Sequence, residues 1–289
     1  MNGIVLINKE KNYTSHDVVS IVKKITKSKV GHTGTLDPNA TGVLPLLLGD
    51  ATKISKYLIN HDKEYEVVLE LGKKTSTADV EGEVIEEKEV PQTIWKSEYI
   101  ENILTEFIGE QEQIPPIYSA IKINGKKLYD YAREGKTVTI EPRKIKIYKI
   151  ELMGFNKEAK QIQFKVNCSK GTYIRSLCED IAKKLGTVGY MKELNRTQVG
   201  EFYIKNSVTI AELEEKIKKN DLSNIISIEE IFENVNKIDL EQKFLNKYLN
   251  GVGIEQNYED GVYKIYLNNE FIGLGIVKAQ KLKRDLVLI

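Results

Sequence analysis

Residues 29–49 read KVGHTGTLDPNATGVLPLLLG, a loop rich in glycine, proline and threonine that surrounds one acid, Asp37, and runs directly into an apolar segment. Pro38 biases Asp37 toward extended backbone, and Gly31, Gly34 and Gly42 reach conformations that other residues avoid. The loop therefore displays a single carboxylate from a tightly specified shape. A phosphate cradle is excluded, because no Gly-Lys-Ser/Thr follows the glycines and a central acid would repel phosphate. Taken alone, an Asp-Pro turn of this kind is ordinarily structural.

The flanks place this loop inside an α/β arrangement. GIVLINK (3–9) reads as a buried strand, and TSHDVVSIVKKITK (14–27) as a helix, with Thr14 or Ser15 as cap and Val18, Val19, Ile21, Val22 and Ile25 as its apolar residues. Beyond the loop, DATKISKYLIN (50–60) is expected to be helical. KEYEVVLELG alternates Tyr65, Val67, Leu69 and Leu71 on one side of a strand. QIQFKVNC (161–168) alternates likewise, and IRSLCEDIAKKLG forms a helix that aligns Ile174, Leu177, Ile181 and Leu185, with Gly186 ending it. Arg175 falls in the first turn of that helix. Apolar periodicity weakens near 216–237, which suggests a domain boundary. A short helix closed by Gly251 and several short strands follow, with Asn268-Asn269 at a hairpin turn.

Composition narrows the function classes. The chain has 289 residues and 41% hydrophobic content, enough for one large domain and a small one. No run approaches the roughly 18 apolar residues of a membrane span, and MNGIVLINKEK reaches Lys9 after a very short apolar stretch, so a cytoplasmic protein without membrane association is expected. Cys168 and Cys178 fit neither a disulfide framework nor a zinc spacing, and His16, His32 and His61 form no metal pattern. No metal or organic cofactor is implied. The net charge of +1 does not mark a nucleic-acid binder globally, but Ile117–Lys149 holds nine basic residues against three acids, interleaved with Tyr118, Tyr129, Tyr131 and Tyr148. That interleaving suits phosphate contact with base stacking, although a charge run is more often a solvated face.

GHTGTLDPNATGVLPLLLGDATK closely resembles the signature of the bacterial tRNA pseudouridine-55 synthases. KEYEVVLELG, IPPIYSAIKINGKKLYDYAREG, KGTYIRSLCEDIAKKLG and LNRTQVGEF follow in that family's order and carry the resemblance to about residue 205. It implies an α/β enzyme, built on a mixed sheet with a central cleft, that isomerises uridine 55 in the T loop of tRNA. The catalytic domain would span 1–230, with an RNA-clamping insertion at about 110–142, and a small PUA-like β-barrel would span 238–289. The reaction breaks the bond from C1′ to N1 of uracil, turns the base and rejoins it through C5, so one nucleophilic carboxylate can serve. Asp37 adds either to the ring or to the sugar carbon, and must be ionised for both.

The resemblance also implies partners for Asp37. Arg175 would pair with it, lowering its pKa by about 1–3 units against the cost of desolvation; from the residues alone, Arg175 reads as a helix-surface arginine. Tyr65 would stack on the extracted base and lie near the C5 proton, although alternation equally fits core packing. His32 would help extract the base, Tyr173 and Leu194 would line the uridine pocket, and Lys122, Lys126, Lys127, Arg133 and Arg143 would grip the T arm. Lys9 falls in a substrate-side block that departs from the family: KEKNYTS has Glu10 where proline is usual and Asn12 where glycine is usual. Asparagine tolerates left-handed backbone, so the turn can survive. Ser76 in TSTAD and Asn195 in LNRT also depart from the commoner forms. A monomer needing no protein partner is expected. The rivals are a guide-RNA-dependent pseudouridine synthase subunit, which works with protein partners, and a tRNA-binding or folding protein without essential catalysis. The clamp-like insertion and short C-terminal domain disfavour the first, and retention of Asp37, Tyr65 and Arg175 disfavours the second.

Overall fold

The computed structural model describes every residue except Ala120 and Thr137. Both fall within the expected insertion, so that part of the expectation lies outside the described residues. The apolar run near the N-terminus forms β1 (Gly3–Lys9), in which Ile4, Val5 and Ile7 are wholly buried. Its continuous apolarity is explained by position, because both faces are covered. Thr14 caps α1 (Ser15–Thr26) in a capping box with Asp17, as the residues predict, and Val18 and Val22 are buried. A short β2 (Val30–His32) leads into the Asp37 loop, which ends at β3 (Thr41–Leu48).

β3 carries Pro45 inside a buried strand, where a missing N–H is normally damaging. The break is tolerated because β3 is flanked by β1 along its length on one side, while its other side meets β2 only from Leu46 to Leu48 and a parallel strand only at Thr41 and Gly42. Among the described residues, the intervening stretch has no strand beside it on that edge.

The remaining elements complete a ten-stranded sheet: β4 (Lys63–Leu71), β5 (Gly109–Gln113), β6 (Arg143–Asn156), β7 (Gln161–Cys168), α2 (Ile174–Lys184), β8 (Gly189–Val199), α3 (Ile210–Lys218) and β9 (Ile225–Ile226). The strand order is β9-β1-β3-β8-β4-β7-β6-β5, with β2 and the Phe202–Tyr203 strand paired beside β3 and β8. Among the described strands of this sheet, only β3 with β8 is parallel. One apolar core packs the inward residues of β4, β7 and β8 against α1 and α2. Gly186, at φ +82°, ends α2 as expected. The expected helix over 50–60 is a 3-10 turn (Gly49–Ile54) followed by one α-turn (Ser55–Leu58).

The stretch 216–237 is less of a break than its periodicity suggests. β9 pairs with β1, and the turn of helix Ile228–Ile231 places Ile228 in a core shared with Leu6, Leu47 and the C-terminal Leu274 and Leu286. The C-terminal sheet, curled as a half-barrel, contains β10 (Lys237–Asp239), β11 (Ile254–Glu255), β12 (Gly261–Leu267), β13 (Glu270–Lys278) and β14 (Lys281–Val287) in the order β10-β12-β13-β14-β11. Asn268 and Asn269 both take positive φ at the β12–β13 turn, as a type I′ hairpin requires. Among the described residues, no helix is long and apolar enough to cross a membrane.

Candidate active site

The Asp37 loop is clamped through its backbone. Asp37 O accepts from Ala40 N (3.0 Å), closing a turn with Pro38 at its second position. Ser15 Oγ, at the start of α1, accepts from Leu36 N (2.8 Å) and donates to Leu36 O (3.1 Å). Two buried cations hold the rest. Lys9 Nζ donates to Pro38 O (3.0 Å), Glu10 O (2.9 Å) and Tyr13 O (2.7 Å). Arg196 donates from Nε to Val43 O (2.9 Å), from Nη2 to Gly34 O (3.2 Å) and from Nη1 to Thr35 O (3.5 Å). Carbonyl dipoles compensate these charges without a carboxylate, so the loop is held while Asp37 keeps its oxygens for other partners.

This placement corrects the expectation that Lys9 binds substrate. Lys9 has no exposed surface, and all three of its N–H directions meet backbone carbonyls. Burial lowers its pKa to about 8. The departure at Asn12 is accommodated as anticipated: Asn12 adopts φ +69° and its N–H donates to Pro38 O (3.0 Å).

Asp37 meets Arg175 at the start of α2. Arg175 Nε lies 3.1 Å from Asp37 Oδ2, and Nη2 donates to Asp37 Oδ1 (3.4 Å). The same guanidinium donates to Thr77 O (3.2 Å) and Tyr118 O (3.0 Å) and lies 3.6 Å from Asp79 Oδ2. Arg175 is thus a buried hub, not a helix-surface residue. Burial raises the Asp37 pKa above the usual carboxylate value, with Asp79 adding to the rise, while Arg175 and Lys9 oppose it. Arg175 thus lowers the Asp37 pKa as expected, but burial and Asp79 outweigh it.

Asp37, Tyr65, Tyr173, Leu194 and Arg175 line one cavity of about 470 Å³, with Thr33–Leu36, Lys63, Tyr118, Ser119, Tyr129, Lys170 and Arg196 also on its wall. Tyr65 is nearly buried on β4, and desolvation pushes its phenol up to about 12. It is a protonated aromatic wall at neutral pH. Tyr173 precedes α2 and is locked by Gln113, whose Oε1 accepts from Tyr173 N (2.8 Å) and whose Nε2 donates to Tyr173 O (3.0 Å). His32 does not line this cavity; it sits on β2 opposite Leu46, its Nδ1 lacks a partner, and burial lowers its pKa.

The insertion reaches the cavity through Tyr118, Ser119 and Tyr129. Asn124 and Gly125 turn its small hairpin, both at positive φ, and the helix Leu128–Arg133 follows. Lys127 lies 5.1 Å from the centre of the Tyr129 ring and donates to its hydroxyl (2.7 Å), Arg133 lies 5.4 Å from the same ring, and Lys126 lies over Tyr131 while pairing with Glu134. Lys122 is exposed, as is Arg143 at the start of β6. Lys126, Lys127 and Arg133 are thus gathered around the rings of Tyr129 and Tyr131, and Tyr129 is on the cavity wall.

Sequence reasoning misses Arg196 and Asp79. Arg196 carries a signal: it occupies an inward position of β8 between Leu194 and Val199, where a charge needs a buried purpose. Asp79 carries none, because its role arises when Arg175 approaches from a distant helix. Chemically, the cavity offers one carboxylate steered by a guanidinium, a flat aromatic wall and a volume typical of small-ligand sites, about 300–1,000 Å³. Among the described residues no cluster could hold a metal ion.

Comparison with known proteins is concordant. A family profile described as "TruB family pseudouridylate synthase (N terminal domain)" matches residues 22–174, and one described as "tRNA pseudouridylate synthase B C-terminal domain" matches residues 175–237. The chain is 45% identical over 282 residues to a protein from Clostridium tetani named tRNA pseudouridine synthase B, covering 95% of each. It is 41% identical over 288 residues to one of the same name from Caldanaerobacter subterraneus, covering 98% of each. Among solved structures it resembles a chain in the crystal structure of a Cbf5-Nop10-Gar1 complex, with TM-score 0.69 and 27% identity, covering 95% of this chain and 78% of that one.

Proposed function

The chain belongs to the TruB family of pseudouridylate synthases, and from that premise we propose that it isomerises uridine 55 in the T loop of tRNA to pseudouridine, with Asp37 as the covalent catalyst. The uridine leaves the loop and enters the cavity, where Tyr65 stacks on it; such stacking is worth about 1–3 kcal/mol and offsets much of the unstacking cost. Asp37 makes one transient bond to the substrate and releases it when the base has turned. The glycosidic bond to N1 breaks, a bond to C5 forms, and the C5 proton leaves as N1 gains one, so no outside acceptor is consumed. Arg175 keeps the carboxylate charged and aimed, Tyr173 and Leu194 shape the pocket, and His32 acts only at a distance from the base.

The observation that carries this reading is the convergence of Asp37, Arg175 and Tyr65 on one cavity, with 3.1 Å between the acid and the guanidinium. On the same reading, residues 1–230 form the catalytic domain with the clamp at about 110–142, and 238–289 form a PUA-like RNA-binding unit. The enzyme works in the cytoplasm as a monomer with tRNA as its only partner. Resemblance to a chain crystallised with Nop10 and Gar1 favours one rival, a subunit that needs a guide RNA. The deciding experiment supplies tRNA tritiated at C5 of uridine to the purified protein alone. Tritium should be released, and Asp37→Asn should stop release while tRNA binding persists. Release only on addition of a guide RNA would establish the rival.

A further inference from the structure

We infer that Lys63, assisted by Lys170, forms a seat for a backbone phosphate of the flipped nucleotide at the cavity wall. The inference rests on the proposed reaction but concerns a group with no role in it so far. Lys63 begins β4 two residues before Tyr65, so the strand's alternation puts both side chains on the same face, about 7 Å apart along the strand. A nucleotide whose base lies on Tyr65 must carry its phosphodiesters to one side of that ring, and Lys63 stands on the cavity wall there.

Lys63 differs from the lysines on the two strands that flank β4. Lys165 and Lys192 sit on carboxylates, those of Glu64 and Glu70. Lys63 Nζ instead donates to His61 O (2.7 Å), and Lys170 Nζ donates to Asn60 Oδ1 (2.8 Å). Among the described residues neither ammonium has a carboxylate partner within ion-pair distance. Asp62, next to Lys63 in the chain, accepts from the Tyr148 hydroxyl (3.3 Å). Lys63 is half-buried; burial, with the Arg196 charge adding to it, lowers its pKa, while Asp62 opposes the shift. Arg196 adds positive potential but directs its N–H groups at backbone carbonyls. Gly34 lies against both side chains: a Cβ there would be in ordinary van der Waals contact with Lys63 Cε and Arg196 Nη1, each at 3.6 Å. The wall that holds Asp37 and Tyr65 thus also carries two ammonium groups with unused donors. That combination matches a nucleotide with an anionic backbone and a reacting base.

The test pairs a protein change with a substrate change. A T-arm RNA hairpin is made with a neutral methylphosphonate at each linkage flanking the target uridine in turn, with 2′-O-methyl at the neighbouring sugar and a hairpin carrying only the 2′-O-methyl as control. Single-turnover conversion is measured for the unaltered protein, Lys63→Met, Lys63→Gln, Lys63→Arg and Lys170→Met. One neutral linkage should slow the unaltered protein by about tenfold to a hundredfold, the range for a hydrogen bond to a charged group. Lys63→Met and Lys63→Gln should be slowed similarly on the ordinary hairpin and hardly further by that linkage, Lys63→Arg should recover most of the rate, and hairpin affinity should change little. Independent, multiplying losses from protein and linkage would overturn the inference, as would undiminished conversion by Lys63→Met. If the unaltered protein fails on the ordinary hairpin, the proposed reaction itself is wrong.

Discussion

Replacing Arg175 by methionine isolates what the guanidinium does for Asp37. The methionine fills much of the same volume but removes the cation shared by Asp37, Asp79 and the carbonyls of Thr77 and Tyr118. At 3.1 Å and an effective dielectric of about 20, the acid–guanidinium attraction is roughly 5 kcal/mol. Asp37 keeps 36% of its side chain exposed, so solvent screens part of this. About 1.5–4 kcal/mol should survive, which corresponds to roughly 1–3 pH units. The sign follows from the ionised form being the active one. Burial already raises the Asp37 pKa, and losing Arg175 raises it further while Asp79 remains opposite. The acid limb of the single-turnover tritium-release profile should therefore move to higher pH by about 1–3 units. Activity lost at neutral pH should return in part on raising the pH, and Asp79→Asn in the same protein should return more. Circular dichroism at each pH verifies the fold. A uniform loss of rate with the acid limb unmoved would refute the electrostatic argument and leave Arg175 a positioning role alone.

Lys9 should impose an opposite limb: as pH rises through about 8 its ammonium discharges, the hold on Pro38 O weakens and the rate falls. Because its pKa is lowered from 10.5 on folding, thermal stability should rise over the same window, between about 8 and 10.5, and melting curves alongside rates would expose the divergence. Gly42→Ala should destabilise the fold by about 2–5 kcal/mol in denaturant titration, from a left-handed backbone and overpacking together: Gly42 has φ +110°, and a Cβ would lie 2.2 Å from Arg196 O. Neutralising Lys122, Lys126, Lys127 and Arg133 should flatten the salt dependence of tRNA affinity by up to about 0.7–0.9 in slope for each phosphate that the protein no longer neutralises. An unchanged slope would return this stretch to a solvated face.

Local signals were sufficient for most elements. The alternation of Tyr65, Val67, Leu69 and Leu71, the Thr14–Asp17 box and the glycine at 186 each act within a few residues, so the sequence alone located strand, helix start and helix end. Asp37 was legible for the same reason, since its loop is specified by neighbouring glycines and proline. What tertiary structure alone decided is where charges end up. Lys9 became a brace because β1 delivers its amine beneath Pro38; Asp79 joined the site because Arg175 reaches it from 96 residues further along the chain; and the Asp37 pKa lies above the usual carboxylate value because burial, with Asp79 adding to it, outweighs Arg175 and Lys9. Solvation and Coulomb energies depend on distances between segments remote in sequence, and no local pattern encodes those distances.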